Sequence, residues 1–380
     1  MKRVAILQPA VPSYRLPFFE TLILLGIESG INYEIYSPEQ FDETKKKGNT
    51  YCRGHFHSVK RFELKFKNRS LFFHIPISAI NKSDLIIAEY AIHNLITFWW
   101  AIFPKNRKLA LWGHGKTYTK KITRLEMWLK GKLANKCDWF FSYTKGGASA
   151  LTTWGFPISQ ITMVQNSTDS LELVRVISTL KETEIISFKE RNKIESDNTA
   201  IFIGSLETSK RLEFLVASAE RVQAIFPDFK LLIFGSGPEE MWIQEQCKNM
   251  SYLQFCGIAN IEDKALASQT CKFIMMPGRV GLIAVDSLAM GLPIITTSWE
   301  WHAPEFEYLV HESNAIIAEN SLDSYVSAIE HFLKDKHFRT KISINAKRDS
   351  NNYGIRIMAE NFHSGVLHVV GGLQGNENSN

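Results

Sequence analysis

The chain has 380 residues, of which 45% are apolar and 22% are charged. This length exceeds what one ordinary hydrophobic core organises, so two domains of roughly 150–200 residues are expected. The composition excludes a disordered or fibrous protein. Five cysteines at irregular spacing exclude a disulfide framework and a paired metal-ligand motif, which indicates a reducing compartment.

Short β-rich runs alternate with helical patterns along the first half of the chain. The first run, at residues 3–8, is too short to be a signal peptide and predicts a strand. Further strands are predicted at 33–37, 85–88, 108–112, 139–143 and 161–164. The apolar stretch 85–103 contains Glu89, His93 and Asn94 and divides into a strand and a helix, so no transmembrane helix is predicted. Residues 1–175 are therefore expected to form a Rossmann-like domain.

The second half has the same rhythm more clearly. Strands are predicted at 200–204, 230–234, 253–256, 273–276, 294–297 and 315–318. Residues 211–222 place apolar side chains on one helical face. Such alternation predicts a parallel sheet covered by helices on both sides, here over residues 195–350. Residues 170–198 are predicted to be a linker, 351–368 a C-terminal helix, and 371–380 a disordered tail.

Positive charge is concentrated in the first half. Residues 1–170 carry 24 lysines and arginines against 12 acidic residues, whereas the remainder carries 20 against 27. The basic clusters lie at 45–47, 60–69 and 116–136, with Phe62, Phe66, Leu125, Trp128 and Leu129 among them. This pattern fits an anionic membrane surface or a diphosphate-bearing acceptor, and it equally fits a solvated charged face. The sequence contains no recognisable nucleic-acid-binding motif, so nucleic acid is not expected as a partner.

Three strand–helix junctions of the second half contain glycines, and the first of them also carries two adjacent basic residues. Their candidate ligand-binding residues are Gly204, Ser205, Lys210 and Arg211 in the first, Gly235 and Gly237 in the second, and Gly278, Val280, Gly281 and Leu282 in the third. Backbone N–H groups at such junctions favour a phosphate, and the two cations add full charges. Consecutive junctions meet at the carboxyl edge of one parallel sheet, where open α/β sheets bind ligands.

The order G-x-L-x-x-x-K, then G-x-G-P, then P-x-x-x-G-L-x-x-x-[acid]-S-L-A-x-G-x-P-I-I resembles the donor-binding domain of glycosyltransferase family 4. These are retaining, metal-independent enzymes of the GT-B fold, an α/β fold of two Rossmann-like domains facing across a cleft. The motifs P-S-Y-R-L-P-F-F at 12–19, L-W-G-H-G at 111–115 and N-S-T-D at 166–169 resemble members from bacterial surface-polysaccharide gene clusters. The resemblance runs to about residue 367.

The resemblance implies roles for the junction residues. Lys210, with Arg211 nearby, is expected to hold the donor diphosphate, and Asp286 to accept hydrogen bonds from the ribose. Ser205 stands where the family usually has arginine, which removes one phosphate contact. Gly278 stands where the family has a glutamate beside the donor sugar, which leaves backbone N–H groups of residues 280–282 to face the diphosphate.

The resemblance also implies roles in the first half. His114 is expected to touch the donor sugar or the acceptor and is counted, with Lys210 and Asp286, as catalytic. Tyr14 and Arg15 are expected on the acceptor side. Each assignment has a structural alternative: a solvated Lys210, a helix-start carboxylate for Asp286, a histidine of a turn for His114, and a helix-surface charge for Arg15.

The expected function follows from these assignments. A nucleotide-sugar donor would give its sugar, with retention, to a polyprenyl-diphosphate-linked glycan of a surface polysaccharide such as O-antigen or capsule. No metal or other cofactor is expected, because basic residues and helix N-termini would stabilise the leaving diphosphate. The expected location is cytoplasmic, peripheral on the inner face of the membrane. The alternatives are a nucleotide-sugar epimerase, which needs clustered acid–base residues, and a non-catalytic GT-B binding protein.

Overall fold

The computed structural model of the chain describes residues 1–38, 50–66, 69–74, 78–103, 107–118 and 121–371. The chain divides into two compact units. The first unit comprises Met1–Asn166 and the C-terminal segment from Ile355, and the second unit comprises Ser167–Gly354. The predicted tail, apart from Gly371, and the basic cluster 45–47 lie outside the described residues.

The first unit contains a parallel sheet and a separate antiparallel hairpin. The strands are β1 Lys2–Leu7, β2 Ile31–Ser37, β3 Phe56–Ser58, β4 Arg61–Phe66, β5 Arg69–His74, β6 Leu85–Glu89, β7 Lys108–Gly113, β8 Trp139–Ser142 and β9 Ile161–Met163. The sheet has the order β3-β2-β1-β6-β7-β8-β9, so the order reverses between β1 and β6. The hairpin β4–β5 was not predicted from the sequence, where this stretch had only been noted as a basic cluster.

Helices cover both faces of this sheet. They are α1 Leu16–Ser29, α2 Ser78–Asn81, α3 Leu95–Ile102, α4 Arg124–Ala134 and α5 Lys145–Thr153. Helix α1 buries Phe18 and Phe19 against one face, whereas α3 and α4 bury Trp100 and Leu133 against the other. Right-handed crossovers explain this division, because β1–α1–β2 runs in the opposite direction along the sheet from β6–α3–β7–α4–β8.

The second unit is a parallel sheet between helices. Its strands are β10 Thr199–Ile203, β11 Lys230–Phe234, β12 Leu253–Gly257, β13 Phe273–Met275, β14 Ile294–Thr297 and β15 Ala315–Ala318, in the order β12-β11-β10-β13-β14-β15. Its helices are α6 Ser170–Thr179, α7 Glu182–Arg191, α8 Leu212–Ile225, α9 Glu240–Asn249, α10 Ile261–Thr270, α11 Ile283–Met290, α12 Leu322–Lys334 and α13 Lys336–Ser350. The order reverses between β10 and β13, and the carboxyl ends beside such a reversal are where ligands bind.

Residues 170–198 differ from the predicted linker. They form α6 and α7, which bury Leu173 and Phe188 in the core of the second unit. The stretch looked like a linker because most of the surface of both helices is exposed and therefore polar. The units change at 166/167 and again at 354/355, where the sequence predicted domain limits at 175 and 350.

The C-terminal helix returns to the first unit. Helix α14, Ile355–Gly371, packs on α1 and buries Phe362 and Val366 in the same core as Phe18. The rings of Phe362 and Phe141 stack with centroids 4.2 Å apart. Within the described ranges, no helix combines the length and hydropathy that a membrane crossing requires.

Candidate functional site

Three loops at the carboxyl edge of the second unit are joined by hydrogen bonds. They are the first loop, residues 204–211 after β10, the second loop, residues 235–239 after β11, and the third loop, residues 277–282 after β13. The amide of Arg279 donates to the carbonyl of Ser209 at 2.9 Å, and the amide of Leu206 donates to the carbonyl of Ser236 at 2.8 Å. The structure therefore brings the three predicted junctions together.

Glycines in the second and third loops make room for the first loop. A Cβ atom at Gly278 would lie 2.5 Å from the carbonyl carbon of Lys210. Cβ atoms at Gly235 and Gly237 would collide with the carbonyl oxygens of Gly204 and Leu206. These glycines are required by contacts between backbones, whereas the sequence suggested only a close approach of a ligand. The crowding also explains why no glutamate stands at position 278.

Lys210 is a buried cation between two of these loops. It is 8% exposed, and its Nζ donates to the carbonyl oxygen of Arg279 at 2.5 Å. Burial lowers the pKa of Lys210 to about 8, and the nearby charge of Arg279 acts in the same direction, while Glu207 and Glu305 oppose it. The ammonium group is therefore still mostly protonated at pH 7, and the structural alternative of a solvated lysine does not apply.

Arg211 fastens the first loop to the rest of the unit. Its backbone has a φ of +56°, which is uncommon for a residue with a side chain. Its Nη1 donates to Asn320 Oδ1 at 2.7 Å, to Thr297 Oγ1 at 3.2 Å and to the carbonyl of Pro277 at 3.3 Å. The guanidinium also lies 4.2 Å from the ring centroid of Phe214. These contacts give Arg211 a structural role that the sequence did not predict.

His302 holds the third loop, and sequence reasoning missed it. Its Nδ1 accepts from the amide of Val280 at 3.1 Å, so its Nε2 carries the proton and donates to the carbonyl of Thr297 at 2.8 Å. Its ring stacks on Phe306 with centroids 4.0 Å apart. Burial lowers the pKa of His302 to about 4, so the ring is neutral at pH 7. The signals in the sequence that could have identified His302 were Pro304, two residues later, and Phe306, which is one helical turn away.

The bond to His302 changes the expectation for Val280. The amide of Val280 is already engaged and is not available to a diphosphate. The amides of Gly281 and Leu282, at the start of α11, have no acceptor among the described residues. These two N–H groups and the helix dipole remain available to an anion. Ser205, also predicted at the site, is exposed on the first loop.

Asp286 is buried in α11 and both of its oxygens have partners. It is 6% exposed, Thr168 Oγ1 donates to Oδ1 at 2.7 Å, and Lys264 Nζ lies 2.7 Å from Oδ2. Asp286 thus ties the segment before α6 and helix α10 to α11. Its expected role toward the ribose remains a prediction, and the contacts identify a structural role in addition.

His114 follows β7 at the carboxyl edge of the first unit. The residue is accessible to solvent, but its ring packs against Tyr143 with centroids 4.8 Å apart. Desolvation, followed by the charges of Arg15 and Lys130, lowers the pKa of His114 to about 4, so the ring is neutral at pH 7. The next residue, Gly115, has a φ of +70°. The turn is therefore fixed by a conformation that glycine adopts without strain.

Arg15 is buried, so it is not a helix-surface charge. It is 7% exposed and lies at the N-terminus of α1. Its guanidinium carbon is 5.1 Å from the ring centroid of Trp112 and 5.5 Å from those of Tyr14 and Tyr143. Its Nη1 donates to the hydroxyl of Tyr143 at 3.4 Å. Tyr14, the other predicted acceptor-side residue, is largely exposed.

Glu89 is a further titratable residue at this edge. It ends β6, next to β7, and burial raises the pKa of its carboxyl group while the charge of Lys130 opposes the shift. In the sequence, Glu89 only argues against a membrane span. A carboxylate that ends an apolar strand was the signal that could have identified it.

Metal ligation has no candidate in the part of the chain that the structure describes. No group of three or more His, Cys, Asp or Glu side chains there is arranged to hold a metal ion. The titratable groups at the two sheet edges are instead the separate sets described above.

Comparison with known proteins finds a similarity to one family over part of the chain. Residues 184–349 match the sequence model of the family "Glycosyl transferases group 1". An uncharacterized glycosyltransferase of Haemophilus influenzae is 22% identical over 50% of this chain and 55% of its own length. O-antigen chain mannosyltransferase C of Escherichia coli is 23% identical over 40% of this chain and 41% of its own length. The chain thus matches about half the length of these curated relatives.

Solved structures resemble nearly the whole chain. Anabaena HepE, crystallised in complex with UDP, superimposes with a TM-score of 0.70 over 96% of this chain and 99% of its own, at 13% sequence identity. At this identity the likeness establishes the fold alone. The chain therefore has the α/β fold of the GT-B type, and residues 184–349 are similar to the group 1 glycosyl transferases.

Proposed function

We propose that the chain is a glycosyltransferase whose second unit binds a nucleoside-diphosphate sugar. The observation that carries the proposal is the position of Lys210, a buried, protonated side chain beside the start of a helix with two unengaged amides. A buried cation together with helix N-terminal amides is suited to a diphosphate. The family match of the same unit supports this proposal.

The same groups serve the chemical step. When the glycosidic bond to the donor breaks, negative charge develops on the leaving diphosphate. Lys210 and the amides of Gly281 and Leu282 stabilise that charge without reorganising, because hydrogen bonds and glycine-dependent backbone contacts already fix their loops. The acceptor hydroxyl then attacks the face that the leaving group vacates and gives its proton to the leaving diphosphate oxygen, so the sugar is transferred with retention.

The proposed acceptor is a lipid-linked glycan of a surface polysaccharide. The likeness to an O-antigen mannosyltransferase supports this class of acceptor, and the UDP bound to HepE supports a nucleotide-sugar donor. His114 is proposed to contact the reacting sugar. A neutral imidazole can accept a hydrogen bond from a sugar hydroxyl, which a protonated one cannot.

An apolar surface of the first unit supports a membrane-bound acceptor. Helix α3 buries Trp100 but exposes Trp99 and Ile102, so it is apolar on both faces, and Phe103 directly after it is exposed as well. Helix α4, which covers the same face of the sheet, exposes Trp128 among basic residues. Exposed aromatics interleaved with lysines and arginines fit the headgroup region of an anionic membrane. This surface is proposed to hold the enzyme at the inner face of the cytoplasmic membrane.

A donor panel tests the transferase proposal. Purified protein is incubated with UDP-, GDP-, dTDP- and CMP-sugars and a membrane extract, and release of the free nucleotide is measured. Release with one donor, lost in Lys210→Ala and kept in the exposed control Lys248→Ala, is expected. Conversion of the sugar without nucleotide release would indicate an epimerase. Binding without any turnover would indicate a non-catalytic protein.

Liposome flotation tests the membrane proposal. Binding to anionic vesicles is expected to weaken as salt increases and to fall in Trp99→Asp/Trp128→Asp. The control Leu24→Asp/Ile27→Asp changes exposed apolar residues of α1, on the opposite face of the sheet. Equal recovery of both variants and of the wild type would contradict the assignment of this surface.

A further inference from the structure

Arg15 is a buried cation that lacks a carboxylate partner. Among the described residues, no Asp or Glu forms an ion pair with it, and its side-chain hydrogen-bond partners are the tyrosines Tyr143, at 3.4 Å, and Tyr14. Burying a charge is unfavourable unless it is paired or hydrogen-bonded. The three aromatic rings around the guanidinium offset part of this cost through cation–π contacts.

The position of Arg15 adds a second unfavourable contribution. The residue is the N-cap of α1, a helix of 14 residues, so its positive charge lies at the positive end of the helix dipole. Arg107, a second buried arginine among the described residues of this unit, also has no carboxylate partner there, but it does not lie at a helix N-terminus. It lies at the amino edge of the sheet, before β7, and donates to the carbonyl oxygens of Asn81 and Phe103.

The other groups near Arg15 are also suited to an anion. His114 is close enough for the charge of Arg15 to disfavour its protonated form. Tyr143 lies between the two, because its ring contacts both the guanidinium of Arg15 and the imidazole of His114. Tyr143 also directly precedes the N-cap of a second helix, α5, whose N-terminus likewise favours negative charge.

We propose that Arg15 and Tyr143 form a phosphate-binding site at the carboxyl edge of the first unit and that this site takes the diphosphate of the acceptor's lipid carrier. A guanidinium can bind two phosphate oxygens at once, and the helix N-terminus adds to the attraction. The same chemistry would also accept the diphosphate of a donor. The choice of the carrier rests on the proposed function, since the second unit already has its own cation in Lys210.

Calorimetry with three diphosphates tests the site. Farnesyl diphosphate stands for the lipid carrier, UDP for the donor, and inorganic pyrophosphate for the shared group. Arg15→Met is expected to weaken farnesyl diphosphate and pyrophosphate binding at the first unit at least tenfold and to leave UDP binding unchanged. Arg15→Lys keeps the charge but not the bidentate geometry of the guanidinium. Its affinity for farnesyl diphosphate is expected to lie between those of the wild type and Arg15→Met. The matched control Arg107→Met is expected to bind all three ligands as the wild type does.

Thermal unfolding without ligand separates a binding role from a structural one. If Arg15 serves anion binding and not folding, Arg15→Met should unfold at the same temperature as the wild type or at a higher one, because a buried charge has been removed. In the wild type, farnesyl diphosphate should also shift the imidazole resonances of His114 toward the protonated form. A lowered melting temperature with unchanged affinity for all three ligands would overturn the proposal.

The remaining outcomes identify the ligand. A tenfold loss of UDP affinity in Arg15→Met, with farnesyl diphosphate unaffected, would keep the phosphate site but reject the carrier as its ligand. If the wild type binds no nucleotide yet binds farnesyl diphosphate through Arg15, the proposed transferase function fails and this site stands.

Discussion

The two units differ in how they hold the cations of their candidate sites. In the second unit, Lys210 donates to a carbonyl oxygen and Arg211 to three oxygen acceptors. In the first unit, Arg15 has the hydroxyls of two tyrosines and three ring faces. The second unit therefore uses its cations to fix loops around a backbone-lined site, whereas the first unit keeps a cation whose hydrogen-bonding capacity is largely unused. Such a cation is suited to reversible binding of an anionic ligand.

Both units nevertheless position their key residue by the same device. The loop that carries Lys210 crosses the backbone at Gly278, and the loop that carries His114 crosses the backbone at Gly147. In each crossing a Cβ atom would overlap a neighbouring main-chain atom. The difference between the units therefore lies in the side chains placed on these frames, which the following substitutions can test.

The largest effect is expected from adding a methyl group at Gly278. Gly278→Ala places a Cβ against the backbone of Lys210, so it should separate the first and third loops and lower the free energy of unfolding by about 3 kcal/mol. Nucleotide binding should be lost with it. Gly281→Ala is the matched control, because its Cβ would have a nearest contact of 3.8 Å. Equal melting temperatures for the two variants would show that the crossing does not constrain the loop.

Removing the cation of the second unit should act on binding more than on folding. Lys210→Ala is expected to weaken a nucleoside diphosphate by about 1.5–3 kcal/mol, the range for hydrogen bonds to a charged group. The wild type should lose affinity as the pH rises through about 8, since burial lowers the pKa of Lys210 to that value and only its protonated form attracts the diphosphate. Lys210→Arg should lack this pH dependence in calorimetry. Identical pH profiles for the two proteins would remove Lys210 from the donor site.

Asp286 tests whether the second unit also uses its carboxylates structurally. Asp286→Asn should lower the free energy of unfolding by about 2 kcal/mol, because Lys264 loses its charged partner. The free energy of unfolding lost in the double variant Asp286→Asn/Lys264→Met should differ from the sum of the losses in the two single variants, as measured by denaturant unfolding. The ribose role is tested with the same proteins. A 2′,3′-dideoxy nucleotide should bind less tightly than its parent only if Asp286 accepts a ribose hydroxyl, and Asp286→Asn should then remove the difference.

The smallest effect is expected from the neutral His302. Burial lowers its pKa to about 4, so between pH 6.5 and 4 the unfolded chain binds the proton that the folded chain rejects. Stability should therefore fall by about 1 kcal/mol from pH 7 to pH 5.5 on account of this residue. His302→Gln, which keeps an acceptor but does not titrate, should reduce that slope in urea unfolding. If the dependence of the unfolding free energy on pH is the same in both proteins, the pKa of His302 does not differ between the folded and unfolded states.

The sequence predicted the strands of both sheets except β3, because buried parallel strands are continuous apolar runs, and chain segments such as 230–234 and 294–297 have the predicted limits. The linker was wrong for a related reason. Helices α6 and α7 expose most of their surface, so their few buried residues, such as Leu173 and Phe188, were outweighed by polar ones. The hairpin β4–β5 was missed because its basic residues drew attention to charge and not to its alternating apolar positions.

The sequence by itself determined the fold class and the three glycine-containing loops of the second unit, because local periodicity and turn chemistry are properties of neighbouring residues. Only the tertiary structure decided which cations are engaged. Lys210 and Arg211 are adjacent in the chain, yet one lies on the carbonyl of Arg279 and the other on Asn320, 109 residues away. Arg15 contacts Trp112, which lies in β7, and Tyr143, which directly follows β8. The burial of these cations and their hydrogen-bond partners depend on contacts between residues distant in the sequence, which local sequence patterns do not predict.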